Sequence, residues 1–131
     1  MARRLTIEWR RLDAGGRTCD RCAETGTALR RAVAALRLAP DLAGVEIVVR
    51  ETILDAADLA RSNQLLFDGR PLEDLLDQAR AVETDCPSCA GLIGGAACCR
   101  AVDVRGTLFE AIPETLIAAA ARRALSTLEK A

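Results

Sequence analysis

A chain of 131 residues is long enough to close one hydrophobic core, and with one Trp, two Phe and no Tyr that core must be mainly aliphatic. Eighteen Lys and Arg against 19 Asp and Glu leave a net charge of −1, which excludes a global basic field for a nucleic-acid backbone. The chain has six Cys and no His, which excludes Ser–His–Asp triads, Cys–His dyads and His-ligated metal, and leaves thiols as the leading chemistry.

Met1-Ala2-Arg3-Arg4 is basic, but charges interrupt the stretch from Leu5 to Arg11 and no apolar segment suited to a signal peptide appears. Leu5, Ile7 and Trp9 alternate with Thr6, Glu8 and Arg10, which predicts a half-buried strand. Residues 13–17 read as a loop that runs directly into Cys19-Asp20-Arg21-Cys22. Leu29, Val33 and Leu36 recur at helical spacing and predict a helix over 23–39, which Pro40 stops and Gly26 weakens slightly. The β-branched run at 45–49 predicts a strand, and 55–61 a short helix capped by Asp55.

Residues 64–67 then read as a strand, Asp68-Gly69 as a hairpin turn, and 70–73 as the return, where Pro71 demands an edge position. A helix is expected over 74–81, a Gly- and Cys-rich loop over 86–99, and a small hairpin of 101–104 and 107–111 around Arg105-Gly106. Pro113 suits the first position of a last helix running to about residue 130. Its apolar run over 116–121 ends at Arg122-Arg123 and is too short to span a bilayer, so neither membrane nor nucleic acid is expected as a partner. With no linker or repeat, residues 1–131 form one expected domain, in a cytoplasmic setting where thiols stay reduced.

The thiols fall into two sets. Cys19 and Cys22 flank the start of the first helix, where unpaired N–H groups and the helix dipole favour thiolate. Cys19 is then the attacking nucleophile, and Cys22, one turn on, resolves the mixed disulfide. Arg21 adds positive potential there and Asp20 opposes it. The spacing also fits metal ligation, or a Cys22 that packs as a small hydrophobe.

Cys86-Pro87-Ser88-Cys89 is a second C-x-x-C, joined through Gly91, Gly94 and Gly95, which allow a tight loop, to Cys98-Cys99. Adjacent residues seldom ligate one ion, so Cys86, Cys89 and one of the vicinal pair form the natural ligand set. Such a set suits a soft species, and zinc, an iron–sulfur cluster or arsenite are the candidates, although no cofactor is required. A Cys89–Cys99 disulfide and a set of reduced, ligand-free thiols are the other readings.

The order strand, helix, strand, short helix, strand, strand, helix, with C-x-x-C where the first strand meets the first helix, is the thioredoxin-like α/β arrangement (β-α-β-α-β-β-α). The crossover over 23–39 makes the first two strands parallel. A Cys-rich loop and small hairpin, about 82–111, are inserted before the last helix.

The stretches LTIEWRRLD, CDRCAETGTAL, RSNQLLFDGRPLEDLL, CCRAV and FEAIPETLI, in this order, resemble an uncharacterised prokaryotic thioredoxin-like family, a domain of unknown function. The resemblance implies a thioredoxin-like fold with Cys19 and Cys22 as its dithiol. It also implies Cys86, Cys89 and Cys99 as a second Cys motif, with Cys98 as an extra. In thioredoxins proper a cis-Pro precedes the third strand and faces the dithiol, whereas this chain has Ser62-Asn63-Gln64. Asn63 removes a Pro that helps keep metals away, and offers an amide to a thiolate, ligand or peptide. A turn before the strand is its simpler role, with a trans peptide bond.

The leading expectation is thiol–disulfide exchange with a thiol or disulfide protein partner, the second set relaying electrons or sensing redox state. The runner-up is binding of a soft metal, cluster or metalloid without turnover. A degenerate domain with vestigial Cys is the third.

Overall fold

The computed structural model describes residues 3–13, 20–54, 62–85 and 98–129, and the side chains of Asp85, Cys98, Cys99 and residues 127–129 fall outside that description. The short helix expected over 55–61, the loop before Cys19 and most of the Cys-rich loop lie outside the described residues. Among the described residues the architecture is mixed α/β, with two sheets and three helices. Strands are β1 Arg3–Leu12, β2 Val45–Leu54, β3 Gln64–Phe67, β4 Arg70–Pro71, β5 Ala79–Asp85, β6 Cys98–Val104 and β7 Thr107–Phe109. Helices are α1 Asp20–Leu38, α2 Leu72–Leu75 and α3 Glu114–Glu129, with a 3₁₀ turn at Pro40–Leu42.

The first sheet has the order β2-β1-β3-β4. The β1–β2 pair is parallel from Arg3↔Val45 to Leu12↔Leu54, and β3 runs antiparallel to β1 and to β4. The alternation in β1 sets its register: Leu5, Ile7 and Trp9 are buried, and a one-residue slip would put Thr6, Glu8 and Arg10 in the core instead. Leu65 and Phe67 of β3 pair with Trp9 and Ile7 and extend the same apolar face. Leu29, Val33 and Leu36 of α1, with Ile117, Ala120 and Ala124 of α3, cover it. On the opposite face Arg10 bonds Glu8 and Gln64 at 2.9 and 2.8 Å, and Thr52 donates to Glu8 at 2.8 Å. The Arg10 hydrogen bond holds the Glu8 carboxyl below its ordinary pKa.

Both expected hairpin turns are present. Asp68 and Gly69 have φ of 52° and 84°, Arg105 and Gly106 of 53° and 88°, the paired positive values of a type I′ turn. Asp68 also exchanges bonds with Thr6, its N–H donating to the Thr6 carbonyl and its Oδ1 accepting from the Thr6 N–H, both at 2.8 Å. Pro71 lies in β4, the outer strand, where a missing N–H costs no ladder bond.

Several boundaries differ from expectation. The helix expected over 74–81 is instead the single turn of α2 followed by β5. The chain turns extended at Leu76, Gln78 takes φ 56°, and residues from Ala79 pair with β6 from Val104 back to Cys98. Pairing with a distant strand overrides the helix preference of Ala and Arg there. Cys98 and Cys99, expected in a loop, are the first residues of β6, so the inserted hairpin is a three-stranded antiparallel sheet, β5-β6-β7. The return over 70–73 pairs only through Arg70 and Pro71 before α2 begins. α1 includes Asp20, three residues before its expected start, and Pro113 flanks α3 rather than opening it, its carbonyl accepting from Leu116 and Ile117. One apolar cluster joins the sheets, since Val102 of β6 and Ile112 pack with the β1, β3, α1 and α3 side chains.

Candidate functional site

The start of α1 lies on the first sheet's helix-covered face and carries a buried stripe at three- and four-residue spacing: Cys22, Thr25 and Gly26, Leu29, Val33, Leu36. Cys22 is 0% exposed, so its sulfur sits inside the fold. Cys19 itself lies outside the described residues, as do Cys86 and Cys89.

Thr25 is equally buried and belongs to a hydrogen-bonded unit that spans three elements. Its hydroxyl donates to Asn63 Oδ1 at 2.5 Å and accepts from the Ile112 N–H at 3.0 Å. The Asn63 Nδ2 in turn donates to the carbonyls of Arg100 at 3.0 Å and Glu110 at 2.7 Å. Asn63 thereby fills the gap at which β7, whose last pair is Phe109 with Val102, leaves β6. Its φ of 58° lies in the left-handed region, which Asn tolerates better than most residues. The side chain expected to meet a ligand is bonded within the fold at both ends of its amide. Its amide is spent on holding the start of α1 to the second sheet, and the peptide bonds among the described residues are trans.

Arg21 makes the second link. It is only 6% exposed, and Nη1 donates to Thr84 Oγ1 at 2.8 Å and lies 3.5 Å from the Arg100 carbonyl. Nη2 stands 3.4 Å from the exposed Glu110 carboxylate. The strand register then places the second cysteine set: Thr84 is paired with Cys99 and Asp85 with Cys98. The Arg100 side chain points the other way and pairs with the buried Glu73 of α2. The backbone of the vicinal cysteines is thus bonded, through Arg100 and Thr84, to the turn that carries Cys22. Among the described residues, Cys22 and the backbone of Cys98 and Cys99 are what this link connects.

Sequence reasoning singled out the cysteines and Asn63 but passed over Thr25, Arg100 and Glu110. A hydroxyl on the apolar stripe of α1, three residues after Cys22, was the available signal for Thr25. Among the described residues no three Cys, Asp or Glu side chains are grouped as metal ligands, and the expected second ligand set has its side chains outside that description. No helix among the described residues is long and apolar enough to cross a membrane.

Comparison with known proteins adds a family. Residues 5–121 match the domain of unknown function DUF2703. A protein of Archaeoglobus fulgidus, described as uncharacterized, is 36% identical over 117 residues, covering 86% of this chain and 82% of the relative. No solved structure matches the chain.

Proposed function

We propose that this chain, which belongs to the DUF2703 family of domains of unknown function, is a thioredoxin-like dithiol protein that exchanges disulfides through Cys19 and Cys22. The observation that carries the reading is the complete burial of Cys22 in the first turn of α1, at C-x-x-C spacing from Cys19. The β2-β1-β3-β4 order, with β3 antiparallel and two helices on one face, supports the thioredoxin-like assignment. In the proposed reaction the Cys19 thiolate attacks one sulfur of a partner protein's disulfide, and the partner's other sulfur leaves as thiolate. Cys22 then gives up its proton and attacks Cys19, forming the Cys19–Cys22 disulfide and releasing the partner's second thiol. Two electrons pass from the dithiol to the partner. A reduced cytoplasm suits this direction.

Burial of Cys22 protects the resolving sulfur from outside disulfides until the mixed disulfide forms. In a dithiothreitol-coupled insulin reduction assay, Cys19→Ser is expected to lower the rate to background, and Cys22→Ser to accumulate the mixed disulfide. An unchanged rate in Cys19→Ser overturns the proposal.

A second reading draws on the bonds that link the turn carrying Cys22 to the strand whose first residues are Cys98 and Cys99. With no His in the chain, a shared site would be thiolate-rich and would take zinc, an iron–sulfur cluster or arsenite. Elemental analysis of protein purified without air separates the two: exchange predicts metal-free protein, and a stoichiometric ion with alkylation-resistant thiols favours binding.

A further inference from the structure

We propose that the outer edge of β2 pairs antiparallel with β2 of a second copy of this chain, in a register centred on Val48, joining the two first sheets into one. The edges of that sheet are unlike. β4 is two residues long and ends in Pro71, whereas β2 runs ten residues without a Pro and has one neighbour, β1, among the described strands. The inner bonds of β2 fix which of its groups face out. The Arg3 N–H donates to the Gly44 carbonyl and the Asp13 N–H to the Leu54 carbonyl, so the even-numbered residues of β2 aim their backbone groups at β1. The N–H and C=O groups of Val45, Ile47, Val49 and Glu51 therefore point outward. Arg37 Nη2 reaches the Ile47 carbonyl from that side at 2.7 Å, and Val49 is 41% exposed beside it.

Charge selects the register and the partner. A two-fold axis at Val48 sets Ile47 against Val49 and Val45 against Glu51 as hydrogen-bonded pairs of outward-facing residues, with Glu46 against Arg50 between them. The pairing of β2 with β1 continues each of these contacts into a row. On one face Glu8 and Arg50 meet Glu46 and Arg4 of the second copy, so the row alternates in sign. On the other, Ile7 and Val49 meet Ile47 and Leu5 of the second copy, an apolar row that takes Val49 out of water. Glu46 already bonds Arg4 at 3.2 Å, whereas Arg50 makes no ion pair among the described residues and is left for the second carboxylate. Moving the axis to Val49 would set Ile47 against Glu51 and Val48 against Arg50, and moving it to Arg50 would oppose two like charges. The Ile47 carbonyl has a second lone pair for the incoming Val49 N–H, and Arg37 gains Glu51 of the second copy, opposite Val45, as a neighbour. The inference goes beyond the exchange reading and stands apart from it, since it concerns a surface that carries no cysteine.

The test is sedimentation equilibrium of the whole chain with its thiols kept reduced, so that disulfide-linked dimers are absent. A monomer–dimer equilibrium is expected. Arg50→Glu and Glu46→Arg should each weaken it by about tenfold or more, because each variant puts like charges at both symmetry-related contacts. The interface is isologous, so mixing the two variants makes every such contact opposite in charge again and should restore dimers. Val49→Pro removes an outward N–H and no bond to β1, so that chain should keep its circular dichroism and be monomeric. If Val49→Pro fails to fold, the mixing result decides. A wild-type chain that stays monomeric at millimolar concentration overturns the proposal. So does a dimer that survives in folded Val49→Pro, charge variants that associate like the wild type, or a mixture that associates no better than either variant alone.

Discussion

Asn63→Ala is expected to lower the free energy of unfolding by about 3 kcal/mol in urea denaturation, the largest loss from any single polar residue here. The substitution removes both donors from the Arg100 and Glu110 carbonyls and the acceptor from the buried Thr25 hydroxyl. Each buried group left unsatisfied costs about 1–3 kcal/mol, the Glu110 carbonyl least because its residue is exposed. Ala also pays roughly 1 kcal/mol more than Asn for the left-handed backbone at this position. Asn63→Gly separates the two causes: it keeps the backbone freedom and should recover only that last part. Since the amide ties β6 to α1, the Ala variant should also expose Cys22 to faster alkylation. A stability change under about 1 kcal/mol would mean that the amide does not hold the two sheets together.

Gly26→Ala is the second large effect, and its sign is the informative part. In an exposed helix interior this change stabilises by about 0.5–1 kcal/mol. Here an added Cβ would stand 2.4 Å from Trp9 Cη2 and 2.6 Å from Cζ2. The indole is 6% exposed, and the guanidinium carbons of Arg11 and Arg30 lie 5.7 and 5.8 Å from its ring centre, so it has little room to swing away. Overpacking of this kind costs about 1–3 kcal/mol, and a net loss of about 2 kcal/mol is expected by thermal or urea unfolding. Trp9→Phe removes the atoms that clash, so the double variant should be more stable than the sum of the two singles by about 1 kcal/mol or more. Strict additivity would show that Gly26 is not reserved for the indole.

The same two positions show what the sequence could and could not reveal. Gly26 reads locally as a mild helix weakener, and only the approach of Trp9 from β1, seventeen positions earlier, makes it a packing requirement. Asn63 reads as a turn former or a ligand contact, because its partners come from α1, β6 and the segment after β7. Features written in local patterning were legible: the alternation of β1, the two type I′ turns, the edge position of Pro71 and the apolar run of α3. β5 was not, since Ala79-Arg80-Ala81 carries helix-favouring residues and becomes a strand only through its distant pairing with β6. Cys98 and Cys99 read as loop residues for the same reason. The two cysteine sets were legible as sets, but the link from the turn of Cys22 to the backbone of Cys98 and Cys99 depends on Arg21 and Asn63 reaching a strand far along the chain.

The central proposal is that the first pair cycles between dithiol and disulfide. Its most direct test is redox equilibration of the whole chain in glutathione buffers, followed by acid quenching and mass-spectrometric mapping of each cysteine. The expected result is one Cys19–Cys22 disulfide that forms as a two-electron couple, a tenfold change in the ratio for about 30 mV. A folded protein in which Cys22 remains a thiol across the whole series would contradict it.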